Sequence, residues 1–257
     1  MKPDIEIQSD KLVKAFLRNK IIKALPLKYT RKLSNAEKFR KLCESKIKDQ
    51  IIGFKAAGTG IPVMKKLKEK KPFYASIFKK NFIKSGQKVK INKFTLGIEL
   101  EVCYLIKKKN FLSKSSISMK NLENCISYMA PCIEIVGYRQ RKKGITSFGD
   151  LCSDFGANVK FLVGQKKKYK RIKIGNLRTK ISNKKINQIV DGNTNTVFIN
   201  PLNSLRFVLS AIKKDKVIIN KDFWVFTGST VGVVPIKSKG LYTGKIDKLG
   251  LAKAIIH

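Results

Sequence analysis

Histidine is almost missing from this 257-residue chain, and the single copy is His257, the last residue. That excludes an internal Ser-His-Asp triad, a histidine general base and a His-ligated zinc. Acidic residues are scarce too, with 17 Asp and Glu against 56 Lys and Arg, for a formal net charge of +39 at pH 7. The cysteines (Cys43, Cys103, Cys125, Cys132, Cys152) are odd in number and form no C-x-x-C pair, which argues against a disulfide framework or a cysteine metal knot. Most sit in apolar contexts, as reduced and buried thiols of a cytoplasmic protein do. No apolar run approaches the roughly 18 residues of a membrane helix, and the opening MKPDIEIQSD lacks the apolar centre of a secretory signal. Carboxylates, lysines, hydroxyls and a hard metal ion are what remain for chemistry.

Hydrophobic residues make up 43% of the chain and include 15 Phe, enough for a sizeable core in one large domain or a main domain with a smaller lobe. The positive charge has two readings. A basic face gains affinity for a nucleic-acid backbone by counterion release, so a basic nucleic-acid-binding protein is the rival hypothesis. It predicts a contiguous Lys-rich face and salt-sensitive binding. Against it, only Arg18, Arg31, Arg40, Arg139, Arg141, Arg171, Arg178 and Arg206 are arginines, whereas nucleic-acid readers lean on bidentate Arg contacts. Lysine background spread over solvated faces accounts for the charge without a polyanion partner.

The first fifty residues read as helical. SDKLVKAFLRNKIIKAL has Ser9 or Asp10 as an N-cap, apolar residues at near-3.6 spacing, and Pro26 as a stop; SNAEKFRKLCESKIKDQ carries a Ser34/Glu37 capping-box pattern. IIGFKAAGTGIPV follows as a short strand broken by glycines. Strand-like runs are expected at 94–106, 132–137, 160–163, 195–199, 217–219 and 223–236, with DGNTN at 191–195 as a hairpin turn. One helix interrupts them, NPLNSLRFVLSAIKK, with Asn200 as cap and Pro201 at the first helical position. No repeat recurs at a fixed period.

Against this acid-poor background, GIELEV sets Glu99 and Glu101 two residues apart on an apolar strand, hence on one face. CIEIV places Glu134 centrally in a second apolar strand. A buried, unpaired carboxylate costs several kcal/mol, so each must be ion-paired, protonated or bound to a cation. For one Glu among so many lysines, a salt bridge suffices. Three together, without His or a Cys motif, form the oxygen ligand set of Mg²⁺ or Mn²⁺.

GFKAAGTG (53–60), GIELEV (97–102), CIEIV-x-x-R (132–139), the NPLNSLRFVLS helix, FTGSTVGVVPI (226–236) and KIDKLG (245–250) occur in an order that resembles the 2-keto-4-pentenoate hydratase family of the fumarylacetoacetate hydrolase superfamily. The resemblance spans residues 10–257. It implies an α+β fold, with a helical N-terminal lobe (1–60) and a C-terminal mixed β-roll or barrel of the fumarylacetoacetate hydrolase C-terminal type (61–257). It further implies a metal-dependent lyase on a small 2-oxo acid, Mg²⁺ or Mn²⁺ held by Glu99, Glu101 and Glu134, and a homo-oligomer. Lys55 matches the family's active-site lysine. Thr227, Gly228 and Ser229 match a segment that meets the substrate carboxylate, and Arg139 matches an arginine that serves as a substrate contact or a structural ion pair.

The leading activity is hydration of 2-hydroxypenta-2,4-dienoate to a 4-hydroxy-2-oxo acid. A 2-oxo acid decarboxylase, an acylpyruvate hydrolase, a keto–enol tautomerase and a silent relative are the alternatives. Gly137 stands where these hydratases carry an Asp after I-E-I-V, Phe73 falls in place of a P-D-F-G run, and Asp154–Asn158 replaces D-N-A-S-S. These departures weaken the case for water addition more than for metal or 2-oxo acid binding.

Overall fold

The computed structural model describes residues 3–141 and 145–257. Its main feature is a mixed sheet of eight strands. Seven lie in the order Phe73–Phe78, Ile51–Ala57, Phe223–Ser229, Thr95–Ile106, Ile126–Gly137, Asn158–Val163, Phe82–Lys84, and Lys167–Lys168 pairs beside Ile126–Gly137. Laid flat, seven strands would set the outermost pair about 29 Å apart. Yet the two outer strands are consecutive in sequence, joined only by the 3₁₀ turn Lys79–Asn81, and such a link reaches about 14 Å at most. The sheet therefore rolls up until its edges are neighbours, and one of its faces becomes an interior.

The alternation of side chains divides the residues of the long strands. Leu100, Val102, Ile133 and Ile135 face a large core shared with a second, five-stranded sheet through Tyr242, Ile246, Ala252 and Ala254. The helix Pro201–Lys214 joins the same core through Leu205, Val208, Leu209 and Ile212, each worth about 1.5–3 kcal/mol when fully buried. The Asn200 side chain accepts from the Asn203 N–H at its start, as expected of a cap. The opposite face of the large sheet holds Cys103, Ala130, Cys132, Phe161 and Phe226, and at one end Glu99, Glu101 and Glu134.

The helical N-terminal region is present but differs in detail. The first helix is Asp4–Arg18, ending at Asn19 in the left-handed conformation (φ 51°) rather than running on to Pro26. Ile22–Lys23 then pairs in parallel with Gln140–Arg141. After a single helical turn at Leu27–Thr30, the helix Leu33–Ser45 has Lys32 at its N-cap without a side-chain cap, so Ser34 lies inside it and the Ser34/Glu37 box does not form. The strand Ile51–Ala57 is a full member of the rolled sheet, although it precedes residue 60.

Two strand expectations fail. Residues 217–219 are not in a strand, and 195–199 gives a 3₁₀ turn, Thr194–Thr196, followed by Phe198 and Ile199 at positive φ. The run 223–236 is strand only as far as Ser229. DGNTN is no hairpin turn either: Asp191–Asn193 ends the strand Gln188–Asn193, and the chain reverses earlier, at Lys184–Ile186 and Asn187 (φ 49°). Gly192 serves close packing instead, because a Cβ there would lie 2.2 Å from the Thr230 carbonyl oxygen. Among the described residues no helix is long and apolar enough to cross a membrane, and all five cysteines are buried and free.

Candidate active site

Antiparallel pairing sets Glu99 directly opposite Glu134, while Glu101 lies opposite Cys132 on one side and Ser229 on the other. The three carboxylates offer oxygens that all lie within 4.8 Å of one another. Glu101 and Glu134 are fully buried, and Glu99 is half-buried toward a cavity of about 910 Å³. Lys55 reaches this cluster because its strand pairs in parallel with Phe223–Ser229. Its ammonium is 3% exposed, donates to Glu134 Oε1 at 2.5 Å and to the Gly156 carbonyl at 3.1 Å, and lies over the Phe161 ring.

Three carboxylates and one ammonium leave two negative charges in a buried space when all are ionised. The electrostatics register that excess. Burial, with repulsion from Glu134, pushes Glu99 up to about 7. Burial, opposed by Lys55 and reinforced by Glu99, pushes Glu101 up to about 7. Burial also drives Glu134 well above the usual carboxylate range. Burial alone would lower the Lys55 ammonium, but Glu134, Glu99 and Glu101 outweigh it and raise its pKa, so Lys55 bears a proton. Glu101 Oε1 and Glu134 Oε2 are buried and accept no hydrogen bond. A divalent cation supplies what both observations lack, two positive charges and a partner for the orphaned oxygens, so the residues fit Mg²⁺ or Mn²⁺.

The segment after Phe226 supports the cluster unevenly. Gly228, at φ 104°, donates its N–H to Glu101 Oε2 at 3.0 Å, which commits that donor to a carboxylate of the protein. Ser229 lines the cavity and donates to the Gly232 carbonyl, whereas Thr227 turns away and donates to the Val102 carbonyl. Arg139 is fully buried and absent from the cavity wall; of its two expected roles, the structure shows the ion pair, with Asp154 Oδ1 at 3.0 Å.

Other residues of the site gave no clear sign in the sequence. Gly156 supplies the second acceptor for Lys55 and is the only glycine of the Asp154–Asn158 segment, a hint of unusual backbone. Phe155, Gly156 and Ala157 all have positive φ (54°, 66° and 61°), at about 1–2 kcal/mol for each non-glycine residue. Thr59 forms part of the wall, together with apolar Leu96, Val136, Leu151 and Ala157. The structure also accounts for Gly137: a Cβ there would lie 2.7 Å from Phe94 Cδ2 and 2.9 Å from both Phe94 O and Val159 Cγ2. An Asp has no room at that position.

A rolled mixed sheet with this helical N-terminal region is the fold of fumarylacetoacetate hydrolase-type enzymes. The 4-oxalocrotonate decarboxylase from Pseudomonas putida G7, solved with magnesium and adipate, is 17% identical with a TM-score of 0.82, covering 98% of this chain and 97% of that one. The same decarboxylase solved with calcium and acetate gives a TM-score of 0.81 at 17% identity and the same coverage. A 5-carboxymethyl-2-hydroxymuconate delta-isomerase from Mycobacterium smegmatis matches less fully, at 12% identity and a TM-score of 0.57, over 81% of this chain and 80% of that one. The sequence matches no protein-family model and no curated protein.

Proposed function

We propose that this chain is a divalent-metal-dependent enzyme acting on a small 2-oxo acid, with decarboxylation of a 2-oxo diacid of the oxalocrotonate type as its leading reaction. The observation that carries this reading is the convergence of Glu99, Glu101 and Glu134 with Lys55 on one side of an otherwise largely apolar cavity. The three glutamates would hold Mg²⁺ or Mn²⁺, which supplies Lewis-acid polarisation of a carbonyl oxygen. Lys55 stays protonated and would stabilise the negative charge developing on the 2-oxo oxygen through an N–H hydrogen bond. In decarboxylation the bond to the distal carboxylate breaks, CO₂ leaves, and the bonding pair passes through the conjugated carbons to that oxygen. The apolar side chains of Leu96, Val136 and Leu151 strip water from a carboxylate placed against them, which favours its departure.

This route needs no residue to deliver water, in keeping with the closed space at Gly137. The decarboxylase solved with magnesium supports the same reading. Hydration of 2-hydroxypenta-2,4-dienoate is the second reading, favoured by the polar residues Thr59, Asn195 and Thr196 in the cavity wall, where a water could be held.

Purified protein with Mg²⁺ or Mn²⁺ should be offered 4-oxalocrotonate, 2-hydroxypenta-2,4-dienoate and an acylpyruvate in parallel. Metal-dependent CO₂ release from the first, lost in Glu101→Ala, is the expected result. Consumption of the dienoate without CO₂ would move the assignment to hydration, and cleavage of the acylpyruvate would move it to hydrolysis. If folded, metal-supplied protein turns over none of them, the enzymatic reading fails.

A further inference from the structure

We propose that Arg139 is a positioning residue for Lys55, acting through a left-handed turn that it clamps at both ends. The inference rests on the working role of Lys55 given above and assigns Arg139 a task away from the substrate. Phe155, Gly156 and Ala157 occupy the left-handed region in succession, a run that L-residues do not hold unaided. The restraint comes from one guanidinium. Arg139 Nη1 donates to Asp154 Oδ1 at 3.0 Å, just before the turn, and Nη2 donates to the Asn158 carbonyl at 2.6 Å, just after it. The Arg139 backbone N–H adds a bond of 2.5 Å to Asp154 Oδ2. Secondary anchors hold the same pieces: the Asn158 amide donates to the Ser76 carbonyl at 3.2 Å, and the Phe155 ring packs 4.5 Å from Phe16.

Between the two clamps lies the Gly156 carbonyl, the second acceptor for the Lys55 ammonium. The turn therefore gives Lys55 a second fixed acceptor beside Glu134. If it relaxed toward right-handed backbone, the carbonyl would swing away and leave Lys55 tethered through Glu134 alone. The planar fork of Arg139 can span residues 154 and 158 together, which the single ammonium of a lysine cannot do with the same geometry.

The test uses full-length Arg139→Lys and Asp154→Asn, each checked for folding by circular dichroism, and reads Lys55 directly by acetylation with peptide mass spectrometry. Losing a hydrogen bond to a charged group should speed Lys55 acetylation about tenfold in Arg139→Lys and less in Asp154→Asn, with half-buried Lys213, on the helix Pro201–Lys214, as an internal reference. Mn²⁺ and pyruvate affinities should stay within about threefold while kcat falls about tenfold at constant KM, the split expected when only transition-state contacts are lost. Wild-type acetylation rates in the folded variants would overturn the proposal. So would a parallel loss of kcat, KM and Mn²⁺ affinity, which marks a purely structural arginine. Should Arg139→Lys not fold, Asp154→Asn decides. Should even the wild type turn over nothing, the enzymatic reading fails, while the acetylation rates still decide whether the clamp holds Lys55.

Discussion

Titrating the protein with Mn²⁺ across a pH series interrogates the carboxylate cluster through stability and needs no substrate. Glu99 and Glu101 each titrate at about 7 in the fold against 4.5 ordinarily. Between those two values the fold retains protons that the unfolded chain has released, so the contribution of these groups to stability falls as pH rises through the window and levels off above about 7. Ionising this pair inside the fold costs stability on the order of a few kcal/mol. A divalent cation binds the ionised form and reverses the slope. At a hundred times its Kd it adds about 2.7 kcal/mol, which for a domain of this size is a Tm rise of about 5–10 °C. Differential scanning fluorimetry from pH 5.5 to 8, with and without Mn²⁺, should show a small increment at the acid end that grows toward pH 8. In Glu101→Gln the increment should collapse, and the cation-free difference between wild type and variant should shift against the wild type as pH rises. A pH-independent increment, or one untouched by Glu101→Gln, would refute the assignment of these carboxylates as the cation's ligands.

Two further outcomes follow from packing. Gly137→Asp, which restores the acid carried by the hydratases this chain resembles, should destabilise the fold by about 3 kcal/mol or more, since it overpacks Phe94 and Val159 and buries a charge; urea unfolding measures this, and a loss below about 1 kcal/mol would show that the strand yields there. All five cysteines are buried, so a thiol-specific disulfide reagent should react with none in the native protein and with all five after denaturation.

The acidic pair was legible because strand periodicity is local: GIELEV states that Glu99 and Glu101 share a face, and the structure adds only that the face turns inward. Glu134 could be suspected from its apolar neighbours, but its place opposite Glu99 is a matter of register between two strands, which neither strand encodes alone. Lys55 was visible only through resemblance, since one lysine among so many carries no local signal. Its position depends on the parallel pairing of Ile51–Ala57 with Phe223–Ser229, a contact between distant parts of the chain. Local rules failed where tertiary packing overruled them. DGNTN has turn chemistry, yet Gly192 is needed for the approach of Thr230, and Ser34 has cap chemistry, yet its helix already begins at Leu33, with Lys32 at the cap. Of the left-handed turn at Phe155–Ala157 the sequence offers only Gly156 as a hint, because a Phe and an Ala in that conformation are held by a partner, Arg139, from another strand end.

That parallel pairing also bears on how the protein comes into being. A ribosome delivers the chain from its N-terminus, so Lys55, Glu99, Glu101 and Glu134 are all synthesised well before the Phe223–Ser229 strand, which lies between the strand of Lys55 and that of Glu99 and Glu101 in the sheet. Until that strand inserts, Ile51–Ala57 connects with the glutamate strands only round the other side of the roll, through Phe73–Phe78, Phe82–Lys84 and Asn158–Val163, and the Gly228 N–H that holds Glu101 does not yet exist in the chain. The nascent protein therefore passes most of its synthesis with a sheet open at its centre, and closure waits on a late contact of long loop length, the slow kind of step. The glutamates themselves come from one pair of neighbouring strands made early, so what closure of the roll adds to them is the Gly228 N–H on Glu101: the carboxylates are assembled first and locked last.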